Sequence, residues 1–217
     1  MKKVVIIVAG GKGVRMNSEI PKQFLLLKNK PILIHAIENF IHFDERILVL
    51  PHSQIGYWNK LCLENSFKIS HKIVEGGNTR FQSVKNGLDK VDNNSVVAIH
   101  DGVRPLISKN LINTLVKEVE KGIGVIPVVP LTDSIRKIEG EYSKHIERNN
   151  LFKVQTPQCF LSSEIKKAYS QEYSNTFTDD ASVFENNKGE IKTIIGDKKN
   201  LKITTEEDLK IASYLLF

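Results

Sequence analysis

The residues from Ala9 to Met16, Ala-Gly-Gly-Lys-Gly-Val-Arg-Met, come directly after a β-branched run and place Gly10, Gly11 and Gly13 within four positions. Glycines so spaced let the backbone turn sharply and bring its N–H groups against phosphate oxygens. The loop lacks a Gly-Lys-Ser/Thr, so it is not a Walker A loop. No third glycine falls where the dinucleotide fingerprint needs it. Cations come next: Arg15, then Lys22 within Pro21-Lys22-Gln23. A strand, a glycine-rich turn, an Arg and a Lys in that order suit a triphosphate, the plain alternative being a turn with ordinary surface cations.

His100-Asp-Gly-Val-Arg-Pro105 ends another apolar run. A carboxylate just past a strand end can hold Mg²⁺, which prefers one or two carboxylates together with phosphate oxygens. Arg104 could grip a substrate phosphate through two parallel hydrogen bonds. A turn or cap role for Asp101 stays open, and His100 reads as structural. Gly76-Gly-Asn-Thr-Arg-Phe-Gln-Ser83 reads as a strand-to-helix connection in which Thr79 is an N-cap and Arg80 and Ser83 could face a ligand. Thr178-Asp-Asp-Ala-Ser182 reads as a helix start whose acidic residues complement the dipole. Lys202 is a cation at a strand-to-helix junction, just before Thr204.

These segments need a scaffold that brings them to one rim. Val4 to Ala9 is a continuous β-branched run, the pattern of a strand buried on both faces of a parallel sheet. Similar runs lie at Ile47–Leu50, Val96–Ile99 and Val125–Val129, with a weaker one at His71–Val74. Helix-period segments alternate with them at Ile32–Phe40, Gln54–Leu63, Thr79–Leu88 and Leu111–Val119. Alternation of this kind predicts an α/β sheet with helices on its faces and ligands beyond the carboxyl ends of the strands. From Asp133 to about Pro157 it breaks down. Ser134–Glu139, a Gly140-Glu141 turn and Tyr142–Glu147 read as a two-stranded arm, for dimerisation or as a plain surface hairpin. Beyond it come helices at Ser162–Tyr173 and Asp179–Asn186, a strand at Ile191–Ile195 and a final helix from Thr204, with Thr204 and Glu207 forming a capping box. The expected organisation is a single domain over residues 1–217 with a β-arm at about 133–157.

Composition excludes several classes of protein. With 217 residues, 41% of them hydrophobic and 26% charged, the chain suits a globular fold and not a disordered one. Two cysteines, Cys62 and Cys159, allow neither a disulfide framework nor a Cys-rich zinc site. No apolar run approaches the roughly 20 residues of a membrane span. The short N-terminal apolar stretch runs into glycines instead of a cleavage site, so a cytoplasmic location is expected. A net charge of +6 suits polyanionic ligands. The cations are nevertheless dispersed, aromatics make up 7%, and no nucleic-acid reader motif is present, so neither nucleic acid nor membrane is expected as a partner.

Taken in order, Ala9–Met16, Pro21–Gln23, Gly76–Gly77 with Arg80 and Ser83, His100–Pro105, Asp133–Ser134, Arg148–Asn149, Thr156-Pro157-Gln158, Thr178–Ser182 and Lys202–Thr204 resemble the cytidylyltransferases that act on small polyol phosphates. Within that group the match is nearest to the 2-C-methyl-D-erythritol 4-phosphate cytidylyltransferase family of non-mevalonate isoprenoid synthesis. The runner-up is ribitol 5-phosphate cytidylyltransferase. The resemblance implies a Rossmann-like, three-layer nucleotidyltransferase fold with a mostly parallel sheet and a protruding β-arm. It implies a CTP site at Ala9, Gly10, Gly11, Gly13, Arg15, Lys22, Gly76, Gly77, Arg80 and Ser83, with the base read near Gly76, Gly77 and Ser83. The polyol phosphate would be held by Asp101, Arg104, Ser134, Arg148, Thr156 and Lys202, with Mg²⁺ at Asp101. Arg148, carried by the arm, would reach the partner's site in a homodimer. Two departures are visible, Ala9-Gly10-Gly11 for the family's usual Ala-Ala-Gly and Ser134 where Thr is common. Both keep the chemistry, a small residue and a hydroxyl.

The chemistry so implied needs no proton abstraction. A phosphomonoester has a second pKa of about 6 and is already largely ionised at neutral pH. Accordingly the six histidines show no His–Asp or Ser–His arrangement. Catalysis would then rest on cations placed in advance, and the expected catalytic set is Arg15, Lys22, Asp101 and Lys202, with Arg15 and Lys22 as transition-state contacts.

Overall fold

The computed structural model describes residues 1–10 and 20–216. The strands are β1 (Lys2–Val8), β2 (Leu26–Leu27), β3 (Lys30–Pro31), β4 (Glu45–Leu50), β5 (Lys72–Glu75), β6 (Ser95–Asp101), β7 (Ile123–Pro130), β8 (Ile135–Glu139), β9 (Tyr142–Ile146), β10 (Phe152–Val154), β11 (Gln158–Leu161) and β12 (Glu190–Ile195). The helices are α1 (Ile32–Glu38), α2 (His52–Glu64), α3 (Arg80–Leu88), α4 (Lys109–Lys117), α5 (Ser162–Ala168), α6 (Asp180–Asn186) and α7 (Glu206–Leu215). A 3-10 turn, Lys22–Phe24, comes after Pro21.

Eight strands form the main sheet, with β1 between β4 and β6, both parallel to it. Alternation along β1 builds three layers. Val5 and Ile7 pack with Leu33 and Ile37 of α1, Trp58 of α2 and Leu115 of α4. Val4 and Ile6 face the other way, with Val84 of α3, Ile165 of α5 and Phe184 of α6. Successive strand residues point to opposite faces, so a run that is apolar at every position must be covered twice. That is the expected architecture, helices on both faces of a mostly parallel sheet.

Periodicity predicts neither of two strands of the main sheet. β11 runs antiparallel between β6 and β7, and β10 runs antiparallel along β7. Val128 of β7 pairs with Val154 on one side and Ile195 of β12 on the other, so β10 and β11 share one edge of β7. Between them lie Gln155, Thr156 and Pro157, the Thr156–Pro157 bond being cis. The antiparallel direction brings the start of β11 to the same rim as the end of β6.

The arm is a hairpin of β8 and β9 with its own two-stranded ladder, turning at Gly140, whose φ is +66°. Its Ile138 and Tyr142 are 70% and 81% exposed. The final capping box differs by one residue from the sequence reading: the N-cap is Thr205, whose side chain accepts from Asp208 N. Asp208 also accepts from Thr204 N and Thr204 Oγ1, each at 2.8 Å, and this two-threonine grip on one carboxylate decides the register. The helix expected over Ser162–Tyr173 ends at Ala168 with Tyr169 as its C-cap. No helix among the described residues is long and apolar enough to cross a membrane.

Candidate active site

Register alone brings the first two motifs together. Val8 pairs with Asp101, Ala9 N donates to Val49 O at 3.0 Å, and Gly102 N donates to Val8 O at 2.9 Å. A Cβ on Gly102 would lie 2.9 Å from Ala9 Cβ and 3.0 Å from Leu33 Cδ1, so only glycine lets these two strand ends meet. Gln23 Nε2 donates to the Ala9 carbonyl at 2.8 Å and to Gln54 Oε1 at 2.6 Å, tying the end of β1 to the 3-10 turn and to α2. Of the expected nucleotide residues, Ala9, Gly10, Lys22, Gly77, Arg80 and Ser83 line one cleft of about 260 Å³ together with Asp101 and Lys202. Gly11, Gly13 and Arg15 lie outside the described residues.

Along the Gly76–Ser83 wall the side chains are already committed. Ser83 Oγ accepts from Gly77 N at 3.1 Å and donates to the Thr79 carbonyl at 2.9 Å. A Cβ on Gly77 would sit 2.0 Å from Gln82 Cγ, and one on Gly76 would sit 3.0 Å from Ser83 Oγ. The glycine pair is thus demanded by packing against the first turn of α3, capped by Thr79 as expected. Arg80 donates to both carboxylate oxygens of Asp180, at 2.8 and 2.6 Å, and Tyr169 donates to Asp180 Oδ1 at 2.6 Å. Burial would lower the Arg80 pKa, but the Asp180 carboxylate raises it well above the ordinary value, so its charge is permanent.

Asp101 is the node of the site. Arg104 Nε and Lys202 Nζ both meet its Oδ2, each at 3.1 Å. Burial alone would raise the pKa of this carboxyl, yet Lys202, Arg80 and Arg104 outweigh burial and hold it well below the usual carboxylate range. Arg104 is itself buried, and its Nη1 donates to the Asn200 carbonyl at 2.8 Å. Thr156 Oγ1 accepts from Asp101 N and bonds His100 Nδ1, each at 3.0 Å. His100 is buried, with burial pushing its pKa down to about 4, which makes it a neutral structural group at neutral pH.

Beyond Asp101 the groove continues into a second chamber of about 420 Å³, lined by Arg104, Lys153, Lys198 and Lys202. Lys202 lines both chambers. Ser134 and Arg148 line neither. Arg148 Nη1 instead donates to the Thr132 carbonyl at the root of the arm.

Sequence reasoning missed three residues that hold this constellation. Asn200 Nδ2 donates to the Thr156 carbonyl at 2.9 Å, Gln155 Nε2 donates to the Asp197 and Asn200 carbonyls at 2.8 and 3.1 Å, and Asp180 anchors Arg80. Their partners lie 42 to 100 residues away, so no local pattern announces them. Only Asp180 left a trace, as the acidic start of α6.

A mostly parallel sheet whose rim joins a glycine-walled cleft to an ionised carboxylate among three cations suits a nucleotidyltransferase, and comparison with known proteins gives that class. The family model described as IspD, 2-C-methyl-D-erythritol 4-phosphate cytidylyltransferase, matches residues 3–217. A protein of that name from Azobacteroides pseudotrichonymphae is 51% identical over 99% of both chains, and one from Bacteroides fragilis is 47% identical over 100% of both. The crystal structure of the Francisella tularensis 2-C-methyl-D-erythritol 4-phosphate cytidylyltransferase superposes with a TM-score of 0.82, at 32% identity and 100% coverage of each chain. The chain belongs to the 2-C-methyl-D-erythritol 4-phosphate cytidylyltransferase family.

Proposed function

We propose that this chain transfers the cytidylyl group of CTP to 2-C-methyl-D-erythritol 4-phosphate, giving 4-diphosphocytidyl-2-C-methyl-D-erythritol and pyrophosphate. The observation that carries this reading is the family match over residues 3–217. A phosphate oxygen of the polyol attacks the α-phosphorus of CTP. The bond to the bridging oxygen breaks, and pyrophosphate leaves with that electron pair. Both reactants are anions, so the barrier is lowered by positive charge held ready where charge develops. Lys22 meets the triphosphate in the transition state, the role that the family resemblance also gives Arg15. Asp101 and Lys202 stand between the reactants and Arg104 holds the polyol phosphate, while Thr156, whose hydroxyl is taken up by His100 and the Asp101 N–H, acts through that turn. Gly76, Gly77 and Ser83 shape the wall that reads cytosine.

The donor set at Asp101 fits Mg²⁺. Both of its cationic neighbours meet Oδ2, which leaves Oδ1 for a metal. Among the described residues no group of three or more His, Cys, Asp or Glu side chains could form a cage. One carboxylate suits a metal that arrives on the triphosphate. Bound there, the ion neutralises charge on the phosphates.

In this reading the chain is one domain with an arm, works as a homodimer in the cytoplasm, and uses the arm to deliver Arg148 to the partner's cleft. Two features support the dimer: Arg148 lines neither chamber of its own chain, and Ile138 and Tyr142 stand exposed on the arm. Sedimentation analysis should give twice the chain mass, and a monomer at micromolar concentration would overturn the exchange of arms. Pyrophosphate release, measured with each of the four nucleoside triphosphates and with methylerythritol or ribitol phosphate, tests the reaction itself. Turnover should require CTP, Mg²⁺ and the methylerythritol ester. Preference for ribitol 5-phosphate would transfer the assignment to that enzyme.

A further inference from the structure

Asp101 and Arg104 must keep a fixed spacing if one is to meet a metal and the other a phosphate, and the residue before them supplies it. His100 Nε2 lies 3.0 Å from the Arg104 carbonyl oxygen, an atom that only accepts, so Nε2 carries the ring proton. Nδ1 is then an acceptor. Thr156 Oγ1 lies 3.0 Å from it, so the threonine hydroxyl donates to the ring. The same oxygen accepts the Asp101 N–H at 3.0 Å. One imidazole therefore binds both ends of the Asp101–Arg104 turn to the start of β11. The ring is fully buried and seated against Phe40 at 5.1 Å between centroids. A residue serving the core alone would need no polar atoms here, and Phe would fill the same space.

We propose that His100 is a positioning residue, a neutral splint that holds the Asp101 carboxylate and the Arg104 guanidinium in register through Thr156. This rests on the roles proposed for Asp101 and Arg104 in the transfer reaction. H100Q keeps a donor for the Arg104 carbonyl and loses the acceptor for Thr156. T156V removes the hydroxyl from the other side of the same link, and H100F removes both links while keeping a ring.

The test combines pyrophosphate-release kinetics, CTP binding by calorimetry and thermal midpoints on wild type, H100Q, T156V, H100F and the H100Q/T156V double variant. Loss of an outer positioning partner typically lowers activity by about 10–100-fold. H100Q should therefore fall about 10–100-fold in kcat, with CTP affinity within about two-fold of wild type. The double variant should fall no more than about two-fold below the worse single, because both substitutions break one link. Midpoint shifts should likewise be less than additive.

H100Q with kcat within about two-fold of wild type, or a double variant whose losses multiply, overturns the splint. Should H100F fail to fold, the H100Q and T156V cycle carries the test. A wild-type enzyme that releases no pyrophosphate while its midpoints still couple would overturn the proposed reaction and leave the splint standing.

Discussion

The two ends of the groove are built on opposite plans. On the nucleotide side, polar side chains are taken up by other groups of the chain: Ser83 holds Gly77 and Thr79, Gln23 holds Ala9, and Arg80 holds Asp180. What these loops offer a ligand is backbone and shape. On the far side, from Asp101 to Lys202, charged side chains converge on one carboxylate and on a chamber with four cations. Shape suits the choice of an uncharged base, and charge suits two phosphates that repel each other. Substitutions on the two sides should therefore fail in different ways.

The largest effect is expected where a cation from the nucleotide wall reaches the reacting phosphates. Lys22→Ala should lower turnover by roughly 10²–10³-fold, as loss of single electrostatic contacts does. Near-normal turnover would break the division of labour. Next comes an acid-stability difference confined to the charged side. The folded-state pKa of His100 is depressed to about 4, while the unfolded chain takes up that proton near 6.5. Stability from this group is thus full above about pH 6.5 and lost as pH falls toward 4, by roughly 3 kcal/mol. Denaturant melts of wild type and H100Q between pH 7 and 4 should converge on acidification, and parallel pH profiles would contradict the buried neutral ring.

Gly77→Ala tests the wall. Its Cβ would collide with Gln82, and overpacking typically costs about 1–3 kcal/mol. KM for CTP should rise about ten-fold or more, with KM for the polyol phosphate unchanged. The smallest effect belongs to Ser83→Ala, which removes two hydrogen bonds within the loop at a net cost of about 1 kcal/mol each. Its signature is a few-fold rise in KM for CTP at constant kcat. A change in base selectivity would instead show that the hydroxyl touches cytosine.

The same contrast explains what was legible in the chain beforehand. The parallel strands were visible because burial on two faces demands unbroken apolar runs, as in Val4–Ile7 and Val96–Ile99. β10 and β11 were not, since three or four residues flanked by Gln155 and Pro157 carry too short a pattern to read. The capping box was assigned one residue early because Thr204 and Thr205 both bond Asp208. In the site, Asp101, Arg104 and Lys202 were legible as charges at element ends and through the order of the motifs. The roles of Asn200 and Gln155 were invisible, because an amide's partners are chosen by the fold and leave no spacing to recognise. Arg80 was expected on the nucleotide alone, and its bidentate tie to Asp180 became apparent only in three dimensions.

The antiparallel direction of β10 has a consequence for the arm. Since β7 ends at Pro130 opposite Phe152, where β10 begins, everything between Leu131 and Leu151 leaves and returns through one doorway, closed by the Leu131 N–H to Leu151 carbonyl bond. A protrusion rooted in this manner can lengthen, shrink or trade its tip residues while every ladder beneath it stays paired.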